Sequence, residues 1–112
     1  VEPARDAYAA CLKIAPEYLG ARVALAHVKR MTGDVKGAIA EAMMALDQAP
    51  GDPDALYAVA LAQHARGDDE ATKKYLEAFL STNPEFEVAA ETRALLATLP
   101  GGDADAGRDE DD

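Results

Sequence analysis

Three prolines, Pro16, Pro50 and Pro84, stand 34 residues apart. Other residues keep the same step: Leu12, Leu46 and Leu80 share it, Gly33-Asp34 returns as Gly67-Asp68, and Pro16-Glu17-Tyr18 returns as Pro84-Glu85-Phe86. Equal proline spacing alone is weak, but a Gly-Asp pair and an aromatic in the same phase make it a repeat. A period in this range marks a chain built from one supersecondary unit, each copy burying its apolar face on the next. Few folds are open to such a chain, and its punctuation decides among them.

The segments between the marks read as helices. Tyr18 to Thr32 is rich in alanine and leucine and stops at Gly33, the residue that most readily takes the left-handed position after a helix. Asp34 is placed to cap Val35 to Gln48, which ends before Pro50 because proline disfavours a helical residue ahead of it. Asp52-Pro53 is a cap followed by proline in the first turn, where the missing N–H is harmless. The pattern then repeats: Pro53 to Arg66 stops at Gly67, Asp68 caps Asp69 to Thr82, and Asn83-Pro84 closes it. Further helices are predicted over Pro3 to Ile14 and from Phe86 to Leu99, the latter with Val88, Thr92, Leu95, Leu96 and Leu99 roughly on one side. The chain is therefore read as all-α, about six helices joined by turns short enough to make neighbours antiparallel.

Composition agrees. Of the 55 apolar residues 26 are alanine, with only six valines and two isoleucines, a poor supply for sheets and a good one for closely packed helices. Acidic residues outnumber basic ones by 21 to 11, which argues against binding nucleic acid or an anionic membrane surface. No apolar run is long enough to span a bilayer, so no membrane insertion is expected. The single cysteine, Cys11, sits at a small-residue packing position. No glycine-rich phosphate loop or nucleophile elbow occurs, and His27 and His64 lack a patterned third ligand. Neither a cofactor nor a metal is expected, nor enzymatic activity.

Helix pairs at this period and with this punctuation resemble the tetratricopeptide repeat (TPR) family. The likeness runs from Pro3 to Leu99. It is carried by Ala38, Ala45 and Pro50 in one second helix, by Ala4, Tyr8, Cys11, Leu12 and Pro16 upstream, by Ala71, Tyr75, Ala78 and Phe79 downstream, and by Leu25-Ala26 and Val59-Ala60 in the first helices. Arg22 and Leu56 depart from the family pattern where a large residue opens the first helix, Lys29 and Gln63 where it has an aromatic, and Ala42 where Tyr8 and Tyr75 stand in the other units. The resemblance implies an α-solenoid divided as follows: 1–15, the second helix of an incomplete repeat; 16–50 and 51–84, two repeats; 85–99, a capping helix; 100–112, an acidic tail expected to be disordered. The unfinished first repeat makes this chain an expected part of a longer array. Ala45 and Ala78 are expected at close helix approaches.

The same resemblance implies function. TPR arrays bind peptides or proteins on a concave face lined by the first helix of each pair. Here that face would hold Val23, His27, Arg30 and Met31, then Asp54, Tyr57, Leu61 and His64, then Glu91. Tyr57 is the expected anchor, because aromatics and arginine dominate binding hot spots. The lysine, asparagine and arginine that co-chaperone TPR domains use to clamp a terminal carboxylate are replaced by Val23, His27, Ala58, Val88 and Thr92, so that specialisation is not expected. The expectation is a non-catalytic interaction module. Alternatives are a structural segment that self-associates through its open N-terminal helix, and a regulatory appendage of a larger enzyme. Because the chain begins at Val1, it leaves open cytoplasm or periplasm, the former weakly favoured.

Overall fold

The computed structural model describes residues 2–100. Among them are six α-helices and no strand: α1 (Glu2–Ile14), α2 (Leu19–Met31), α3 (Val35–Gln48), α4 (Pro53–Arg66), α5 (Asp69–Leu80) and α6 (Phe86–Thr98). The period survives in three dimensions, since α2 and α4, and likewise α3 and α5, begin 34 residues apart. The acidic segment expected to be disordered lies, from residue 101 onward, outside the described residues.

Local chemistry sets the helix ends. The carboxylates of Asp34, Asp52 and Asp68 accept hydrogen bonds from the backbone N–H of Gly37, Ala55 and Ala71 at 2.9–3.1 Å, each satisfying an N–H the helix leaves unpaired. Gly33 and Gly67 take left-handed backbone angles, with φ of 93° and 90°. Around each, the same pair of bonds closes the helix: the Gly33 and Asp34 N–H groups donate to the Arg30 and Lys29 carbonyls, and those of Gly67 and Asp68 to the His64 and Gln63 carbonyls. Several predicted ends move: α1 starts at Glu2 rather than Pro3, and α2 and α6 end at Met31 and Thr98 rather than Thr32 and Leu99. Helix α2 starts one residue later, because Tyr18 serves as its cap without a side-chain bond. Helix α5 stops at Leu80 rather than Thr82; Asn83 turns the chain with φ of 62°, and the Ser81 and Thr82 hydroxyls donate back to the Glu77 and Phe79 carbonyls.

Consecutive helices pack on each other, and α2 also meets α4. Helix α3 is held close by alanine: Ala38, Ala42 and Ala45 are fully buried. Ala42 lies in one cluster with Ala26, Ala58 and Val59, against which Val23, Leu46 and Tyr75 pack. Ala42 thus stands, fully buried, where α2, α3 and α4 converge. A second cluster joins Ala60, Leu76 and Leu99, flanked by Tyr57, Tyr75, Leu95 and Leu96, and ties α6 to α4 and α5. Ala45 is buried as expected, whereas Ala78 is only half-buried, since α6 packs far less extensively on α5 than α4 does on α3.

Two cations of α2 are chemically linked. Arg22 is 7% exposed, and its Nη1 lies 2.9 Å from Glu41 Oε1. Lys29 Nζ lies 3.0 Å from Glu41 Oε2. Arg22 Nη2 donates to the Pro16 carbonyl at 3.0 Å, as does Gln48 Nε2 at 3.1 Å. One carboxylate therefore serves both cations that α2 turns toward α3. In the second unit the equivalent positions carry Leu56 and Gln63, both also buried. At the extremities Ile14 and Phe86 are exposed, at 87% and 83%.

Candidate functional site

Two short turns make α2 and α4 parallel, and a cleft of about 300 Å³ opens between their first halves. Leu19, Gly20, Val23, Ala24 and His27 line it from α2, and Asp52 and Asp54 from the start of α4. Val23 and Ala24 give it an apolar lining, and Val23, one turn before Ala26, also packs on the cluster below. Asp52 is engaged in capping α4, whereas Asp54, in the first turn, is exposed at the rim. At the other end Arg30 Nη2 lies 3.4 Å from His27 Nδ1, one turn back along α2.

His27 titrates below its usual 6.5. Burial is the main cause and the adjacent Arg30 guanidinium adds to it; Asp54 opposes both. The imidazole is therefore neutral at pH 7. The unfolded chain takes up this proton before the folded one does, so the stability tied to the neutral ring is complete above pH 6.5 and is lost as pH falls through the folded value. Melting temperature is expected to decline on acidification just below that point. His27→Gln should flatten this part of the profile and leave the steeper carboxylate-driven fall at lower pH.

The nine residues expected on one face are divided by the structure. Val23, His27 and Asp54 line the cleft, whereas Arg30 is not among its lining residues and meets only the His27 ring. Tyr57 and Leu61 are half-buried on α4. The Tyr57 ring lies 4.8 Å from that of Phe79, centroid to centroid, tilted by 41°, and packs against the cluster holding α6. Part of the expected anchor is thus spent on packing. Met31, His64 and Glu91 are exposed. The sequence reading omitted Leu19, Gly20 and Ala24 from the site; their small size or early position in α2 was the only available signal.

A groove of about 440 Å³ between α1, α2 and α3 is lined by Arg5, Lys13 and the Arg22–Glu41–Lys29 network. Cys11 is a free thiol, half-buried beside a slot between α1 and α2. Among the described residues no group of three or more histidine, cysteine or acidic side chains is arranged to hold a metal ion. None of the described helices is long and apolar enough to cross a membrane.

The fold and site define a class: an all-helical chain of antiparallel pairs with a cleft between parallel helices of successive pairs. Comparison adds no family, since no protein-family model matches the sequence and no curated protein is significantly similar to it.

Proposed function

We propose that the chain is a non-catalytic interaction module, a TPR-like α-solenoid segment that binds an extended stretch of a partner protein in the cleft between α2 and α4. One observation carries this reading. The cleft gathers Val23, His27 and Asp54 from helices equivalent in the repeat, beside the small Gly20 and Ala24. Extended segments bind where shallow apolar pockets alternate with fixed polar groups.

Gly20 supplies the test. A side-chain carbon built there meets only the Tyr18 ring edge, at 3.6 Å, an ordinary contact. Gly20→Leu should therefore fold as well as the parent or better, by up to about 1 kcal/mol from helix propensity, while filling the cleft. Random peptides displayed on phage and selected against the parent chain should lose at least tenfold in affinity for Gly20→Leu. Selected peptides that bind both chains equally would place recognition elsewhere. Tyr57→Ala is a poorer probe, because its ring also packs on Phe79 and weakened binding would mix with lost stability.

A further inference from the structure

The groove of about 440 Å³ between α1, α2 and α3 has the opposite electrostatic sign to the chain as a whole. Arg22, Leu25 and Lys29 line it from α2, and at 3.6 residues per turn they stand across that helix from Val23, Ala24 and His27 of the cleft. Four cations line the groove, Arg5 and Lys13 from α1 and Arg22 and Lys29 from α2, against two carboxylates, Asp6 and Glu41. The chain carries a formal net charge of −10. The groove's own acids leave its cations unsatisfied. Glu41 is divided, with Oε1 on Arg22 and Oε2 on Lys29, so one negative charge answers two positive ones. Arg22, its side chain 9% exposed, still has a buried Nε without an acceptor. Asp6 is exposed, and among the described residues no acid lies within ion-pair distance of Arg5 or Lys13.

We propose that this groove is a second binding surface, independent of the α2–α4 cleft, and that it takes an acidic segment of a partner protein. Charge complementarity carries the choice of ligand. The length of the groove favours a segment over a small anion. Arg5 and Lys13 are eight residues apart on the same helix, about 12 Å of rise, so a single phosphate reaches one of them and not both. Ala9 and Leu12 stand between them along α1, and Leu25 between Arg22 and Lys29 along α2, so the groove also offers apolar surface to the stems of glutamate side chains. Arg5 and Lys13 make the new ion pairs, and the half-neutralised Arg22 and Lys29 supply the field beneath. The excess acid of the chain does not prevent this. Exposed charges more than about 8 Å away are largely screened at physiological ionic strength, whereas the lining cations act at contact.

The test titrates a blocked hexapeptide of alternating glutamate and aspartate into the isotope-labelled full chain, against the same peptide with glutamine and asparagine. The acidic peptide should move the Ala9, Leu12 and Leu25 amides and bind about tenfold more tightly than the neutral one, a factor that corresponds to two partly screened ion pairs. Arg5→Gln and Lys13→Gln should each weaken it about threefold without lowering the melting temperature, since neither side chain is buried. Equal binding of the two peptides, shifts confined to other surfaces, or affinity unchanged in both variants overturns the proposal. Inorganic phosphate that displaces the peptide at equal concentration overturns it in favour of a small-anion site. The chain's own acidic end is tested in a full-length variant carrying Asp109→Asn, Glu110→Gln, Asp111→Asn and Asp112→Asn. Its groove amides should match those of the parent before peptide is added; if they move, the occupant is this chain and the partner assignment falls.

Discussion

Leu76→Ala is expected to remove about 2–5 kcal/mol of stability, the range for a leucine truncated to a cavity that the surroundings only partly fill. Leu76 is fully buried where α4, α5 and α6 meet, in the cluster with Ala60 and Leu99. The consequence should be local as well as global. Helix α6 packs on α5 alone among the helices at backbone level, and its further hold on α4 passes through this cluster. Hydrogen exchange on the variant should therefore show the α6 amides losing protection first, with α2 and α3 retaining theirs. Uniform loss of protection along the chain would mean that α6 folds as one cooperative unit with the rest. A cost below about 1 kcal/mol would mean that the α4–α5–α6 cluster is not the anchor described here.

The second large effect concerns a charge. Glu41→Ala is expected to cost about 2–4 kcal/mol, because it leaves the buried Arg22 and the half-buried Lys29 without their shared carboxylate. Arg22 keeps its bond to the Pro16 carbonyl, so the loss is not total. The instructive result is the double variant. The second unit places Leu56 at the position equivalent to Arg22, and the two are equally buried, at 7% exposure. Arg22→Leu in the Glu41→Ala background should therefore restore most of the stability, since removing both ends of a buried ion pair is far less costly than removing one. Denaturant melts of the two single variants and the double variant complete the cycle. If Glu41→Ala proves neutral, the ion pairs are solvent-screened contacts with no structural role. If the double variant is no better than Glu41→Ala alone, the cost comes from Glu41 packing rather than from a stranded charge.

The network also explains a departure that sequence comparison alone leaves as a mismatch. Arg22 and Lys29 stand where the repeat pattern that the sequence resembles has a large residue and an aromatic. They fit because both meet a single acid 12 and 19 residues away, across the turn into α3. Read singly, each looks like a lost packing residue; together with Glu41 they are one ion-paired cluster at the α2–α3 seam, in which Arg22 Nε is left without a hydrogen-bond partner.

What the sequence determined by itself was local. Asp34, Asp52 and Asp68 cap helices, and Gly33 and Gly67 end them, because each acts through backbone groups within one turn of its own position. The repeat period multiplied these signals and made six helices legible before any packing was considered. The tertiary structure alone decided which side chains share an environment. Tyr57 and Val23 are both expected on the concave face, yet the Tyr57 ring turns to Phe79 and the α6 cluster while Val23 lines the cleft. His27 and His64 occupy comparable helices, yet His27 is half-buried beside Arg30 and Asp54 whereas His64 is exposed. Arg22 and Glu41 carry no mark in the sequence that pairs them. Caps and turns are short-range and repeat with the chain. Contacts between helices depend on crossing geometry and on which alanines let the backbones approach, and that is settled only when the helices are packed together.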